Sequence, residues 1–160
     1  MEFSAFHQPV TELNAAQLLI SSINQVLDGT GAYFMAQPAG MSPGWYDIPA
    51  DTLIVLTSLD FSSYHVDEIA FHGVVAHDLP EDIWDDAHQQ QLSIAAGEER
   101  TDILNRLAVP NSTLPVFVFQ EGDGSRYPVV AEGISWYRGI VYYQKRASLK
   151  EGERNAWFAQ

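Results

Sequence analysis

The sequence predicts an α+β fold, a single compact domain in which a largely antiparallel sheet is packed by an N-terminal helix and a central helical segment. Two observations predict this class. An apolar stripe at helical spacing lies near the start of the 160-residue chain, and short β-rich runs separated by turn signals follow it. Because 46% of the residues are hydrophobic and the length suits one domain, residues 1–160 are expected to share one core.

The first predicted element is a helix within residues 11–29. Apolar residues recur at three- and four-residue spacing, as expected for one buried face: Leu13, Ala16, Ile20, Ile23 and Leu27. Thr11 is a suitable N-cap, and Gly29 suits the exit from the helix. This helix is therefore assigned to packing, without a chemical role.

Three strands are predicted to follow the helix. Residues 32–36 and 52–59 are short apolar runs, and a loop rich in Pro and Gly separates them. Residues 65–77 form a longer β-rich run, in which Gly73 favours a bulge. The middle run is apolar enough to be a central strand of the sheet.

A central helical segment is predicted next. Pro80 suits the first turn of a helix that reaches residue 96. Gly97 interrupts or ends this helix, and a second helical piece over residues 98–109 stops before Pro110.

The last third of the chain is predicted to hold three strands and a tail. Residues 114–120 and 126–133 flank the sequence EGDGS, whose Asp-Gly pair indicates a hairpin, and a long aromatic strand follows over residues 134–147. A Ser-x-x-Glu capping-box pattern marks residues 148–160 as a C-terminal tail or short helix. Trp157 and Phe158 in this tail are expected to dock on the domain or, as a homodimer contact, on a second copy.

Charge is distributed unevenly along the chain, whose formal net charge is −13. Residues 1–99 hold 15 of the 21 acidic residues and no Lys or Arg, so all 8 basic residues lie in residues 100–160. Direct nucleic-acid binding is disfavoured, because it needs cations opposite the phosphates. The asymmetry fits a surface steered toward a basic protein, such as a nuclease or another nucleic-acid-binding protein, or a surface that serves solubility alone.

Composition excludes several other classes. The absence of cysteine removes disulfides, thiolate catalysis and cysteine metal sites. No run approaches the roughly 18 apolar residues that a membrane span requires, so no membrane partner is expected. The start of the chain lacks the basic residues and apolar run of a signal peptide. The expected location is cytoplasmic, and no cofactor is predicted.

Four of the five histidines are concentrated in residues 64–88: His65, His72, His77 and His88. Side chains alternate along a strand, so His65 and His72 are expected on opposite faces. No standard metal-ligand spacing, nucleophile elbow or phosphate loop accompanies them, and no metal is predicted. An enzyme of hydrolase type, with a His/Asp pocket between the sheet and the helices of residues 80–107, remains an alternative function.

The leading candidate site is an acidic helix face. On a helix that starts at Pro80, four carboxylates fall within an arc of about 140°: Glu81, Asp82, Asp85 and Asp86. Ile83 and Trp84 would point the other way, toward the sheet. Two acids in the first turn would satisfy the helix dipole, whereas four on one face repel each other. A destabilising arrangement without structural benefit indicates recognition of a partner.

Five further residues complete the predicted partner-binding surface. Asp67, Glu68 and Asp78 are expected to extend the acidic patch. Trp45 and Tyr46 lie in a loop framed by Pro and Gly, where large aromatic residues serve as interface anchors or fold back over the core.

These observations favour a small acidic non-catalytic binding protein that acts as an inhibitor or antidote by occupying a basic surface of a partner. In size and charge the chain resembles bacterial toxin-immunity proteins and phage-encoded anti-defence or DNA-mimic proteins, a resemblance of composition that no sequence motif carries. The alternatives are the small-molecule enzyme described above and an oligomeric structural protein whose acidic surface serves solubility only.

Overall fold

The computed structural model describes residues 3–37, 48–85 and 91–156. Within them, two helices pack on one eight-stranded sheet, which confirms the α+β prediction. The helices are α1 (Leu13–Leu27) and α2 (Gly97–Arg106). The strands are β1 (Tyr33–Gln37), β2 (Leu53–Ser58), β3 (Tyr64–His77), β4 (Trp84–Asp85), β5 (Leu92–Ile94), β6 (Val116–Gln120), β7 (Arg126–Tyr142) and β8 (Glu153–Asn155).

The sheet is centred on its two longest strands. Its order is β4-β1-β2-β3-β7-β6-β5, with every neighbouring pair antiparallel, and β8 joins β7 in parallel. The pairing of β3 with β7 runs from Tyr64 opposite Tyr142 to His77 opposite Val129. At the centre of β3, residues 67–71 are all buried, so side chains on both faces of the strand are covered there.

Helix α1 covers one face of the sheet. Its buried side consists of Ala16, Ile20, Ile23 and Leu27, which join Phe34, Ile69, Phe71 and Phe119 in the largest core cluster. The predicted stripe is confirmed at these four positions, but Leu13 at the helix start is exposed. The N-cap is Glu12 and not Thr11, because the Glu12 carboxylate accepts hydrogen bonds from the amides of Asn14 and Ala15.

The opposite face is covered in two places. Leu53 and Val55 of β2 lie in the α1 cluster, whereas Ile54 and Leu56 lie in a second cluster, because side chains alternate along a strand. Helix α2 packs over β6 and the start of β7. Residues 3–10, which we call the N-terminal segment, bring Phe3 and Phe6 onto β2, β3 and the later part of β7.

A glycine allows the N-terminal segment to approach β7. The amide of Val10 donates to the carbonyl of Ile134 at 2.8 Å, and the amide of Ile134 donates to the carbonyl of Val10 at 3.1 Å. A Cβ atom on Gly133 would lie 2.8 Å from the Val10 carbonyl oxygen, closer than such contacts occur. The absence of a side chain at Gly133 therefore permits this docking.

The first part of the predicted central helical segment is wrong. Trp84 and Asp85 form β4 and pair with Phe34 and Tyr33 of β1. The Trp84 ring is buried against Phe34 and Phe119, so core packing overrides the helical signal of Pro80 and the acids. Residues 92–94 form β5, whereas the second helical piece is confirmed by α2.

The C-terminal third differs from the prediction in two respects. The hairpin around residues 121–125 is confirmed, but the two strands predicted after it are the single strand β7, which continues through Gly133. The tail forms β8 and not a helix, because the Glu153 carboxylate accepts from the Lys150 amide and β8 pairs with β7. The predictions for Trp157 and Phe158 lie outside the described residues.

Candidate functional site

A chain of hydrogen-bonded side chains lies beneath the N-terminal segment. Its members, which we call the buried relay, are His72, Ser135, His7, Glu68, His65 and Tyr143. Successive distances are 2.7 Å from His72 Nε2 to Ser135 Oγ, 2.7 Å from Ser135 Oγ to His7 Nδ1 and 3.0 Å from His7 Nε2 to Glu68 Oε1. Glu68 Oε2 lies 2.8 Å from His65 Nε2, and His65 Nδ1 lies 2.7 Å from the Tyr143 hydroxyl.

Strand alternation and one irregularity place these side chains together. Glu68 and His72 are four residues apart on β3 and share a face, and Ser135 of β7 shares it because it pairs with Ala70. The register shifts between His65 and Asp67, which turns His65 toward Glu68 as well. The prediction that His65 and His72 lie on opposite faces is therefore wrong.

The four central members of the relay are shielded from solvent, whereas His72 and Tyr143 at its two ends are only partly buried. Glu68 and His65 are 0% exposed, His7 is 1% exposed and Ser135 is 3% exposed. The ring of Phe3 stacks on His7 with centroids 5.0 Å apart, and it lies 5.4 Å from the ring of His72. The N-terminal segment thus supplies both a member of the relay and part of its cover.

Donors and acceptors along the relay can be assigned by counting protons. For an ionised Glu68 carboxylate, which only accepts, His7 and His65 both donate to it through Nε2. With neutral imidazoles, Nδ1 of His7 accepts the proton of Ser135, whose oxygen accepts from Nε2 of His72. The Tyr143 hydroxyl donates to Nδ1 of His65. In this assignment the hydrogen bonds from both sides point toward Glu68.

Burial shifts the pKa of two groups of the relay, His72 and Tyr143. Burial, with the nearby His7 as a smaller cause, lowers the pKa of His72 from 6.5 to about 4, against the opposing effect of Asp51. His72 is therefore uncharged at neutral pH. Burial first, and the Glu68 carboxylate second, raise the pKa of Tyr143 above its ordinary value, so its hydroxyl stays a donor.

The sequence gives little signal for this site. His7 and Ser135 were not predicted, and 128 residues separate them. Ser135 lies inside a strand without a motif around it, and His7 precedes the first long helix. The order hydroxyl, imidazole, carboxylate is nevertheless the one in which a serine proton can pass to a positioned base.

Asp67 belongs to a separate buried network on the α1 face. Its carboxylate accepts from Thr57 Oγ1 at 2.6 Å, from Trp136 Nε1 at 2.7 Å and from Arg138 Nη1 at 3.0 and 3.1 Å. Asp67 is 1% exposed and Glu68 is fully buried. The expectation that these two residues extend a surface patch is therefore wrong, because neither carboxylate reaches solvent.

Four of the predicted acids do lie at the surface. Asp78, Glu81, Asp82 and Asp85, which we call the acidic edge, are exposed between the end of β3 and the edge strand β4. Within the described residues, none of their carboxylates makes a hydrogen bond or ion pair. Ile83 among them is half exposed, whereas Trp84 is buried, so only Trp84 faces the core as predicted.

The remaining predicted site residues divide between the surface and the parts outside the described ranges. His77 is exposed, and its Nδ1 accepts from the Leu79 amide. Asp86, His88, Trp45 and Tyr46 lie outside the described residues. The predicted His/Asp pocket between the sheet and helices of residues 80–107 stays a prediction, because it includes residues outside the described ranges; residues 80–85 are not helical, and His65 and His72 lie in the relay beneath the N-terminal segment.

Two general observations complete the description of the site. Across residues 3–37, 48–85 and 91–156, no group of three or more His, Asp or Glu side chains is arranged to hold a metal ion. No helix in these ranges is long and apolar enough to cross a bilayer.

Comparison with known proteins finds no match, since no protein-family model, no curated protein and no solved structure is significantly similar to this chain.

Proposed function

We propose that this chain is a small acidic binding protein that acts as an inhibitor or antidote by occupying a basic surface of a partner protein in the cytoplasm. The proposed contact is the acidic edge, and the proposed partner is a nuclease or another nucleic-acid-binding protein. The observation that carries the proposal is a set of four exposed carboxylates around the exposed Ile83, in a chain whose first 99 residues hold no Lys or Arg.

The chemistry of the acidic edge supports this function. Carboxylates without internal partners lose no existing hydrogen bond when a cationic surface approaches, so their attraction to it is not offset inside the protein. Protein interfaces commonly combine apolar residues with a polar rim, and the exposed Ile83 directly follows Asp82 and precedes Asp85 by two residues. Attraction between opposite charges acts mainly on the association rate and weakens with salt.

The position of the acidic edge also favours contact with a partner. Asp85 lies on β4, the last strand at one side of the sheet, and Asp78 directly follows the long strand β3. The backbone at both positions is tied to the sheet, because Asp85 pairs with Tyr33 and the Asp78 amide donates to the carbonyl of Pro128 at 2.9 Å. Rigid charges lose less conformational entropy on binding than charges on long mobile side chains.

A matched pair of charge variants tests the proposal. The edge variant, D78N/E81Q/D82N/D85N, and a control variant, D28N/E98Q/D102N/E151Q, each remove four exposed acids and change the net charge from −13 to −9. Affinity capture from a lysate of the source cell is followed by stopped-flow association with the purified basic protein at several salt concentrations. We expect the edge variant to associate about tenfold more slowly at low salt, with a weaker salt dependence, and the control to resemble wild type.

Two results would contradict the proposal. Equal association rates for the edge and control variants would mean that only the overall charge matters, as expected for a surface that serves solubility. If wild type retains no basic protein at low salt, the proposed class of partner, a basic nucleic-acid-binding protein, is wrong. An I83S variant, in which all carboxylates remain, should raise the dissociation rate without changing the salt dependence.

A further inference from the structure

We propose that Ser135, His7 and Glu68 form a closed serine hydrolase centre for small carboxylic esters, with Phe3 as its cover. This activity is independent of the acidic edge and goes beyond the binding function. It also relocates the enzymatic alternative raised by the histidines, since the participating groups lie under the N-terminal segment and not beside residues 80–107.

The geometry is that of a nucleophile with a positioned base. Ser135 Oγ and His7 Nδ1 are 2.7 Å apart, and His7 Nε2 and Glu68 Oε1 are 3.0 Å apart. Both distances are within the range needed for proton transfer and for orientation of the base. Ser135 and His7 are thus the proposed catalytic residues, and Glu68 is a positioning residue that fixes the ring of His7.

The surroundings of Glu68 suit this role. His65 donates to its second oxygen at 2.8 Å, so the carboxylate is held from two sides. When His7 takes a proton, the new positive charge lies next to a fully buried carboxylate, where low polarity strengthens their attraction. Because Nε2 of neutral His7 donates to Glu68, Nδ1 is the nitrogen that accepts the proton of Ser135.

His72 orients the Ser135 hydroxyl. Its Nε2 lies 2.7 Å from Ser135 Oγ, as does Nδ1 of His7. A serine oxygen has a single proton, so accepting from His72 directs that proton toward His7. Because His72 is neutral at neutral pH, it does so without placing a second positive charge beside the base.

The proposed reaction is hydrolysis through an acyl-enzyme. The Ser135 oxygen forms a bond to the ester carbonyl carbon while its proton passes to His7 Nδ1, and the bond to the alcohol oxygen then breaks as the alcohol leaves with that proton. Water repeats the same two steps, which releases the carboxylic acid and restores the hydroxyl. Esters are specified because their alcohols leave more readily than amines, so less stabilisation of the oxyanion is required.

Access to Ser135 requires movement of Phe3. Ser135 is 3% exposed, and the Phe3 ring lies against both His7 and His72. Phe3 belongs to a three-residue 3-10 turn, and the backbone pairing that anchors its segment to β7 occurs at Val10, seven residues later. Truncation of Phe3 therefore opens the relay without removing that anchor.

Covalent labelling with a fluorophosphonate probe tests the proposal. The probe forms a bond from serine oxygen to phosphorus and expels fluoride, and intact-mass analysis with peptide mapping locates it. We expect slow labelling of Ser135 in wild type, faster labelling in F3A, and none at this position in F3A/S135A. The F3A/H7Q variant should be labelled about 100-fold more slowly than F3A, because general-base assistance is lost. Hydrolysis of p-nitrophenyl acetate should follow the same order.

Several results would overturn the proposal. Absence of the adduct from Ser135 in both wild type and F3A would do so, as would equal rates for F3A and F3A/H7Q, which would mean simple exposure of a serine. The exposed Ser22 reports non-specific labelling in every sample. If F3A does not fold, the labelling of Ser135 is compared between wild type and H7Q after long incubation. The proposal requires that wild-type Ser135 is labelled and that H7Q is labelled more slowly.

Two further measurements separate the roles. For Glu68, E68Q in the F3A background should slow labelling of Ser135, and E68D, which keeps a carboxylate to orient His7, should restore part of the rate; equal rates for E68Q and E68D would contradict its positioning role. The edge variant should be labelled like wild type. Failure of the hydrolase proposal therefore leaves the binding proposal standing, and the reverse also holds.

Discussion

Asp67 and Glu68 are consecutive residues of β3, both are buried, and their carboxylates point to opposite faces of the sheet. Asp67 is held by Thr57, Trp136 and Arg138, whereas Glu68 is held by His7 and His65. A buried carboxylate is destabilising unless hydrogen-bond donors surround it. The centre of β3 is therefore polar on both faces, and each face depends on donors that lie far away in sequence.

We expect D67N to lower the free energy of unfolding by about 2–3 kcal/mol. An amide has a single accepting oxygen, so it cannot receive the donors of Thr57, Trp136 and Arg138 together. Denaturation in urea measures the change, with D102N on the exposed side of α2 as the control. Equal midpoints for the two variants would mean that the Asp67 network does not stabilise the fold.

A pH-dependent loss of stability should trace to His72. Its pKa is about 4 in the folded protein and 6.5 in the unfolded chain, so between these values the unfolded chain binds the proton more readily. The free energy of unfolding should fall as pH drops from about 6.5 to about 4, by well under the ~3 kcal/mol that the full shift would give, because His72 is only partly buried and solvent screens its charge. H72Q should remove this part of the dependence of the unfolding free energy on pH, and its side-chain amide keeps a hydrogen-bond donor for Ser135.

The control for this measurement is H77Q, since His77 is exposed. Urea midpoints are compared at pH 7, 6, 5 and 4.5 for the three proteins. The carboxylates of the chain titrate in all of them, so only the difference between H72Q and H77Q reports on His72. If the urea midpoints of H72Q and H77Q change with pH in the same way, the lowered pKa of His72 in the folded protein is contradicted.

We expect G133A to destabilise the protein by about 1–3 kcal/mol, because the added methyl group would meet the Val10 carbonyl oxygen at 2.8 Å. The N-terminal segment should then loosen, which hydrogen exchange at the Val10 and Ile134 amides would detect. E132A, at the adjacent exposed position of β7, is the control. Unchanged exchange at Val10 in G133A would mean that the close approach is not needed for docking.

The opposite effect is expected at Gln91. This residue is 1% exposed, and neither of its amide atoms has a hydrogen-bond partner among the described residues. Replacement by methionine keeps the length of the side chain and removes an unsatisfied polar group, so Q91M should raise the free energy of unfolding by about 1–2 kcal/mol. Q25M, on the exposed side of α1, should change it little. Destabilisation by Q91M would show that the amide is satisfied.

The spacing of neighbouring residues in the sequence was sufficient to predict much of the secondary structure. The helical stripe of Ile20, Ile23 and Leu27 and the Asp-Gly hairpin are properties of neighbouring residues, and both are confirmed. Residues 80–85 were misassigned because Pro80 and the acids favour a helix start, while the burial of Trp84 against Phe34 is a long-range effect. Local propensity cannot report such a contact.

The relay was beyond prediction for a related reason. Alternation along a uniform strand places His65 and His72 on opposite faces, and a register shift that depends on the partner strand reverses this. His7 and Ser135 meet only after β7 has paired with β3 and the N-terminal segment has docked. The acidic edge was easier to find, because exposed like charges in one short stretch are visible in the sequence itself.

The docking of the N-terminal segment on β7 has a consequence for biosynthesis. His7 leaves the ribosome 128 residues before its partner Ser135. At about 5–20 residues per second, the segment waits roughly 6–25 s before its binding surface exists. Throughout that interval Phe3 and Phe6 lack part of the surface on which they pack. The N-terminal segment therefore docks only after β7 has been made, and until then Phe3 and Phe6 are available to a chaperone.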